Sequence, residues 1–173
     1  DLVRSRGLGD VYKRQVDDPH SNVSAALLDR VKVYDAQPHI QKALDKLDDK
    51  NVLLCYPDEG AAKRYSSQAG REYVFCIKHR DWRTGKIERL ELTSPEKVTD
   101  RNVLIVDDIC SRGGTFTFTA KALKEAGANE VYLYVTHCEN TIHSGTVLTD
   151  GLISRVFTTD SIYRGNSKMI SLI

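Results

Sequence analysis

The sequence has 173 residues, with 25 Lys and Arg side chains against 24 Asp and Glu side chains. This length favours one domain, or one domain with part of another. A net charge near zero argues against a nucleic-acid tail and against a surface for anionic membranes. No apolar run reaches the roughly 20 residues that a membrane-spanning helix needs, and no signal peptide is visible. We therefore expect neither nucleic acid nor a membrane as a partner, and any bound anion must be held by local geometry.

The cysteines show no spacing typical of a metal site or a disulfide framework. They are Cys55, Cys76, Cys110 and Cys138. Isolated thiols of this kind are usual in reducing compartments. We therefore expect four reduced cysteines and a cytoplasmic protein.

Residues 1–15 differ from the rest of the chain. They are rich in Gly and Arg and have neither a helical nor a strand period. We interpret them as a non-native leader and leave them out of the fold prediction.

From residue 16 onward, short apolar runs alternate with helix-like segments. The predicted strands are 31–34, 52–55, 73–77, 87–92, 103–106, 131–135 and 155–158, and the run at 73–77 is interpreted as a second buried strand after 52–55. The predicted helices are 38–47, 59–69 (closed by Gly70), 115–126 (closed by Gly127) and a short one at 142–149. Such alternation indicates βαβ units, so we predict an α/β fold with a mostly parallel sheet flanked by helices.

The most informative segment follows the strand predicted at 103–106. Asp107 and Asp108 come directly after the strand, and Gly113 and Gly114 precede a helix that begins at Thr115. Ligands of parallel sheets bind at the carboxyl ends of the strands. A helix N-terminus attracts anions, and glycines let backbone amides approach phosphate oxygens. The segment therefore predicts a phosphate-binding loop.

The two acids beside this loop suit a sugar rather than a second phosphate. Ionised carboxylates accept hydrogen bonds well from vicinal hydroxyls, so Asp107 and Asp108 next to a phosphate loop predict a ribose 5-phosphate site. A glycine-rich helix cap after an acidic turn is the alternative interpretation of the same residues.

The pattern V-D-D-x-x-x-x-G-G-T resembles the phosphoribosyl-diphosphate (PRPP) loop of type I phosphoribosyltransferases and of PRPP synthetases. The resemblance implies a type I phosphoribosyltransferase-like (Rossmann-like) domain in which Asp107 and Asp108 face the ribose. It also implies that the 5-phosphate is held by Ser111, Arg112, Gly113, Gly114 and Thr115. The loop commonly has Asp-Thr where this chain has Ser111-Arg112, so one acid is missing and one cation is added.

Three further segments resemble the synthetases more than the transferases. His20, in Asp-Asp-Pro-His-Ser, matches a histidine that helps to hold the catalytic metal, and Asp58, after Pro57, matches an Mg²⁺-binding aspartate. Lys78 and Arg80 match the catalytic Lys-x-Arg that neutralises the transferred diphosphoryl group. Taken alone, His20 could be a surface turn residue, Asp58 a helix N-cap, and the two cations an exposed strand end.

The resemblance implies a ribose-phosphate diphosphokinase of nucleotide biosynthesis, which uses ATP, ribose 5-phosphate and Mg²⁺ and assembles as a homo-oligomer at full length. Residues 16–47 resemble the end of a truncated N-terminal domain, and residues 48–173 resemble the C-terminal domain. We therefore expect an incomplete fragment that is inactive alone. A type I phosphoribosyltransferase that uses PRPP and a base, and a non-catalytic regulatory module of the same family, are the alternatives.

Overall fold

The computed structural model describes residues 14–81, 83, 84 and 87–173, and for residues 68, 69, 80, 87 and 88 it describes the backbone alone. The described residues form two compact units, one that ends at Ala36 and one from Gln37 to Ile173. Most of the proposed leader lies outside the described residues, whereas Arg14 and Gln15 belong to a strand. The boundary at residue 47 concerns the domains of a longer protein and stays a prediction.

The described part of the first unit, from residue 14 onward, contains two short parallel strands and one short helix. Strand β1 (Arg14–Asp17) pairs with β2 (Val31–Tyr34). Helix α1 (Asn22–Ala26) begins after Ser21, whose hydroxyl accepts a hydrogen bond from the Val23 amide. The prediction of β2 is confirmed. Strand β1 and helix α1 were not predicted, because elements of four or five residues show no clear periodicity.

The second unit is built on a seven-stranded sheet with the order β5-β4-β3-β6-β7-β8-β9. All its neighbouring strands are parallel except β4 and β5, which form an antiparallel pair. This confirms the predicted mostly parallel sheet. The strands are β3 (Leu53–Tyr56), β4 (Tyr73–Arg80), β5 (Ile87–Leu92), β6 (Val103–Cys110), β7 (Val131–Cys138), β8 (Arg155–Thr158) and β9 (Ile170–Leu172).

Burial differs between the central and outer strands. Every residue of β3 is buried, as expected for a parallel strand covered on both faces. Strand β4 instead alternates, because Val74 and Cys76 are buried while Tyr73 and Ile77 are 38% and 43% exposed. The interpretation of 73–77 as a second buried strand is therefore wrong. Strand β4 lies next to the antiparallel edge strand β5, and only one of its faces is fully covered.

Helices cover both faces of the sheet. Helix α2 is Gln37–Leu47, α3 is Glu59–Ala69 and α4 is Gly114–Glu125. Residues Phe116, Ala120 and Leu123 of α4 join the main core cluster with strand residues such as Leu53 and Ile105. Strand neighbours point to opposite faces, and Tyr56 meets Tyr65 of α3 with ring centroids 6.2 Å apart. No helix in the described part of the chain combines the length and apolar character needed to cross a membrane.

The segment after β7 departs from the prediction. Instead of a helix at 142–149, the chain forms a 3₁₀ turn at Asn140–Ser144 and leaves it at Gly145. A Cβ at Gly145 would lie 1.8 Å from the Arg112 carbonyl oxygen. The chain is thus held against the loop after β6, and this contact rather than helical periodicity sets its path.

Candidate functional site at the carboxyl edge of the sheet

A cavity of about 440 Å³ opens at the carboxyl ends of β4 and β6, and we call it the loop cavity. It contains the predicted phosphate loop, one of the two predicted ribose acids and one predicted catalytic cation. Its lining residues are Lys78, Asp107, Ile109, Ser111, Arg112, Gly113, Gly114, Thr115 and Phe116. Parallel strands bring these residues together although Lys78 and Thr115 are far apart in sequence.

The turn into α4 requires glycine at residue 113. Gly113 has φ 80° and ψ 11°, a left-handed conformation, and its carbonyl accepts the first amide hydrogen bonds of α4, from Phe116 and Thr117. A Cβ on Gly113 would also lie 2.1 Å from Val147 Cγ2, whereas a Cβ on Gly114 would meet no atom within 4 Å. Gly113 therefore shapes the loop, and exposed Gly114 leaves the helix N-terminus open to an anion.

The acidic pair is held by an arginine from α3. Arg64 donates from Nη1 to Asp108 Oδ2 at 2.9 Å and from Nη2 to Asp107 Oδ1 at 3.2 Å. The Asp108 side chain is only 4% exposed and that of Asp107 is 17% exposed. Asp107 lines the loop cavity, while Asp108 is buried with its carboxylate turned to Arg64. Both acids thus have a structural partner beside the role predicted for them.

The pKa of Asp107 lies near neutral pH. Burial, and after it the negative charge of Asp108, raises the pKa of Asp107 to about 7. The Asp108 amide donates to Asp107 Oδ1 at 3.0 Å and, together with Arg64, opposes the increase. Asp107 therefore changes its protonation in the range where most enzymes work.

Lys78 and Asp58 form an ion pair between β4 and the start of α3. The Lys78 ammonium lies 2.8 Å from Asp58 Oδ2, and Asp58 Oδ1 accepts from the Ala61 amide at 3.0 Å as the N-cap of α3. Burial alone would raise the pKa of Asp58, but the hydrogen bonds from Lys78 and Ala61 outweigh it and lower the pKa. The N-cap interpretation of Asp58 is confirmed, and the carboxylate is ionised at neutral pH.

Lys78 also lines a second cavity of about 540 Å³, which we call the Asp58 cavity. Its other lining residues are Asp58, Glu59, Gly60, Phe75 and Ile77. One lysine is thus exposed to both cavities, with the phosphate loop on one side and the Asp58 carboxylate on the other.

The predicted metal site is consistent with Mg²⁺ only if substrate oxygens complete the coordination. The described residues contain no group of three or more His, Cys, Asp or Glu side chains arranged to hold a metal. Mg²⁺ is commonly bound through one or two carboxylates plus phosphate oxygens and water. Asp58, whose side chain is 42% exposed, could provide one such carboxylate, but a metal ion there would have to compete with the Lys78 ammonium for Oδ2.

Glu139, which follows β7, contacts the phosphate loop. Its Oε2 accepts from Ser111 Oγ at 2.5 Å and from Thr141 Oγ1 at 2.8 Å. These two hydrogen bonds lower the pKa of Glu139. An ionised carboxylate therefore holds the hydroxyl that the sequence analysis assigned to the 5-phosphate.

Three further residues were predicted to bind metal, substrate or the transferred group: His20, Arg80 and Arg112. His20 is exposed in the first unit, between β1 and α1, and its cooperation with Asp58 stays a prediction. The backbone of Arg80 ends β4, but its side chain lies outside the described part. Arg112 is exposed and lines the loop cavity. The catalytic or binding roles of these three residues stay predictions.

Arg64 and Glu139 were not predicted as site residues. Arg64 lies within a helix, and no local pattern connects it with acids more than 40 residues away. Glu139 could have been found, because it follows the buried strand 131–135 at the same edge of the sheet as Asp107, where ligands of parallel sheets bind.

Comparison with known proteins supports the resemblance in sequence. A curated ribose-phosphate pyrophosphokinase of Sulfurisphaera tokodaii is 31% identical over 158 residues, covering 89% of this chain and 54% of that protein. One from Pyrococcus abyssi is 36% identical over 127 residues, covering 72% of this chain and 40% of that protein. The chain thus spans about half, or less, of the length of these relatives.

A solved structure extends the likeness to the fold. The phosphoribosylpyrophosphate synthetase from Mycobacterium smegmatis superimposes with a TM-score of 0.74 and 19% identity, covering 92% of this chain and 53% of that one. The family model described as phosphoribosyl transferase domain matches residues 33–168. The resemblance inferred from the loop is confirmed, and the chain belongs to the phosphoribosyl transferase domain family.

Proposed function

We propose that this chain provides the ribose 5-phosphate site of a ribose-phosphate diphosphokinase. The intact enzyme would transfer diphosphate from ATP to C1 of ribose 5-phosphate, giving PRPP and AMP. The observation that carries the proposal is the position of Lys78, which lines both the loop cavity and the Asp58 cavity. A cation between a sugar-phosphate site and an acid suited to Mg²⁺ is what transfer of a diphosphoryl group requires.

The sugar would be held at both ends. Backbone amides at the start of α4 and the Thr115 hydroxyl bind the 5-phosphate, with Arg112 as an added positive charge. Asp107 accepts hydrogen bonds from the ribose hydroxyls, and Arg64 keeps it in place beside Asp108. Holding both ends of the sugar fixes the 1-hydroxyl in one direction, which favours reaction by orientation.

In the transfer step, the 1-hydroxyl oxygen bonds to the β-phosphorus of ATP, and the bond from that phosphorus to the bridging oxygen of AMP breaks. The substrate's own 1-hydroxyl is the attacking group, so no protein nucleophile is needed, and its proton is released to solvent or phosphate. Lys78 would stabilise the negative charge on the moving group. Mg²⁺, when bound at Asp58 and phosphate oxygens, would add charge neutralisation of the same kind.

Calorimetric titration of the chain tests the sugar site directly. Ribose 5-phosphate should bind at least about tenfold more tightly than inorganic phosphate, because only the sugar phosphate reaches both the loop and Asp107. Asp107→Asn should remove most of this preference. Asp45→Asn, the same chemical change on the exposed side of α2, should retain it. Equal affinity for the two ligands in the unmutated chain would refute the proposal.

Two activity assays separate this function from its alternatives. With ATP, Mg²⁺ and ribose 5-phosphate, we expect no AMP from this chain alone, since it spans only about half of its relatives. AMP release would contradict the expectation of an inactive fragment. With PRPP and a set of bases, release of pyrophosphate would favour a phosphoribosyltransferase instead. A cytoplasmic location and a homo-oligomeric full-length enzyme are parts of the same proposal.

A further inference from the structure

Arg64 binds the two acids of the site with one planar group. Its two terminal nitrogens contact different carboxylates, Asp108 at 2.9 Å and Asp107 at 3.2 Å. The Arg64 side chain is only 23% exposed, and its guanidinium carbon lies 5.1 Å from the centroid of the Tyr65 ring. A guanidinium fixed in this way cannot move far without breaking buried contacts.

Two neighbouring buried carboxylates are unstable without such a partner. Like charges at short distance and poor solvation both favour uptake of a proton by one of them. A protonated Asp107 would have one lone pair fewer for a sugar hydroxyl and would donate a proton instead. Removal of one partner from a buried ionic group leaves the remaining charge uncompensated.

We propose that Arg64 is a positioning residue for sugar recognition, which orients the Asp107 side chain and favours its carboxylate form, so that it can accept hydrogen bonds from ribose hydroxyls. This inference rests on the proposed function for its ligand. Each carboxylate oxygen has two lone pairs, so the contact with Arg64 leaves acceptor capacity on Asp107, which lines the loop cavity. Arg64 acts through Asp107 and is not assigned a contact with the sugar.

Several groups besides Arg64 influence Asp107. Asp108 is on the same strand, and the strand paired with Asp107 presents the apolar Val135. Among the residues whose side chains are described, further charged or titratable groups near it include Lys78 on β4, Arg112 in the loop, Glu139 beyond Ser111 and the thiol of Cys110. Lys78 and Arg112 share the cavity with Asp107, while Arg64 contacts its carboxylate directly, so loss of Arg64 should have the largest effect.

The first test follows Asp107 itself, without ligand, by the carboxyl ¹³C chemical shift in nuclear magnetic resonance. The unmutated chain should titrate near pH 7, where burial and Asp108 place the pKa of Asp107. In Arg64→Met the midpoint should move up by about one pH unit or more, and in Arg64→Lys by less. A midpoint in Arg64→Met within the error of the unmutated value would overturn the proposal. If Arg64→Met does not fold, an unchanged titration of Asp107 in Arg64→Lys, together with unchanged ribose 5-phosphate affinity, would overturn it equally.

The second test measures ribose 5-phosphate affinity from pH 6 to 9. Binding should strengthen as Asp107 ionises, and in Arg64→Met this increase should occur at higher pH. If the midpoint rises by about one pH unit, affinity at pH 7 should fall about fivefold, because a smaller fraction of Asp107 is then ionised. Partial recovery at pH 9 is a result that a purely structural defect would not produce. Lys63→Met is the matched control, since Lys63 precedes Arg64, is 73% exposed and pairs only with Glu59 among the described ion pairs.

The two tests distinguish failure of the proposed function from failure of the role proposed for Arg64. If the unmutated chain does not bind ribose 5-phosphate, the proposed function is wrong, but the titration of Asp107 still decides whether Arg64 controls its charge. If the sugar binds and the pH profile of Arg64→Met matches that of the unmutated chain, only the role of Arg64 is wrong.

Discussion

Lys78 and Asp58 are bound to each other through a contact of 2.8 Å between the ammonium nitrogen and Oδ2. Their predicted roles are separate: Lys78 neutralises the transferred group, and Asp58 coordinates Mg²⁺. If Mg²⁺ bound at Asp58, it would compete with Lys78 for that carboxylate and leave the lysine available to phosphate oxygens. The ion pair would then couple the two predicted roles.

Lys78→Met should therefore affect catalysis far more than sugar binding. In a version extended to the full length of the relatives, we expect turnover to fall about 100-fold or more while ribose 5-phosphate affinity changes less than about threefold. Steady-state kinetics and calorimetry give the two values, with Lys63→Met as a control of the same chemistry. Parallel losses in turnover and affinity would make Lys78 a binding residue only.

Gly113 and Gly114 should respond differently to alanine. Gly113→Ala places a non-glycine residue in a left-handed conformation, which costs roughly 1 kcal/mol or more. It also places the new Cβ 2.1 Å from Val147 Cγ2. Urea unfolding should show a total loss on the order of 2 to 4 kcal/mol, including overpacking. A second change, Val147→Ala, should recover part of that loss if the clash is real.

Gly114→Ala is the matched comparison. Its Cβ would meet open space, and alanine is the better helix former by about 1 kcal/mol, so stability should not fall. Phosphate affinity should fall, because a methyl group enters the path of the anion. If Gly114→Ala binds phosphate as well as the unmutated chain, the anion does not approach the start of α4.

The sequence predicted those parts of the fold that depend on local signals. Strand β3 is a continuous apolar run, and β6 and β7 begin with one, although both continue beyond it, so that Asp107 and Asp108 lie within β6 rather than after it. Gly113 marks the turn that requires a left-handed residue. Contacts between distant segments gave no such signal. Arg64 meets Asp107 across 43 residues and Ser111 meets Glu139 across 28, and only the parallel order of the strands brings these groups together.

The exposure of side chains near the edge of the sheet could not be predicted from the sequence pattern either. Tyr73 and Ile77 belong to an apolar run like that of β3, yet their face of β4 is partly open. Which strand lies at the centre depends on the topology of the whole unit, which an apolar run does not encode.

Glu139→Gln should strengthen anion binding at the loop. The carboxylate accepts from Ser111 Oγ, and its lowered pKa keeps it charged at neutral pH, so it repels an incoming phosphate. The amide removes this charge and can still accept from Ser111. Titration with inorganic phosphate at low ionic strength should show an increase in affinity of roughly three- to tenfold, smaller at high salt.

Glu125→Gln provides the control for that experiment. It makes the same change in net charge at the exposed far end of α4, and phosphate affinity should stay within about twofold because salt screens distant charges. Weaker phosphate binding in Glu139→Gln would indicate that the carboxylate supports the loop rather than opposing the anion.

Asp107 should make the stability of the protein depend on pH. Burial raises its pKa from 3.8 to about 7, so the folded state binds the proton more tightly than the unfolded state. The stabilising effect of that proton is full below about pH 3.8 and is lost as pH rises towards 7. Asp107→Asn has no such titration. The free energy of unfolding of this variant, relative to that of the unmutated chain, should therefore be higher at pH 8 than at pH 5, by on the order of 2 kcal/mol. Urea unfolding at both pH values measures this difference, and the same difference at pH 5 and pH 8 would show that Asp107 is already ionised throughout the range.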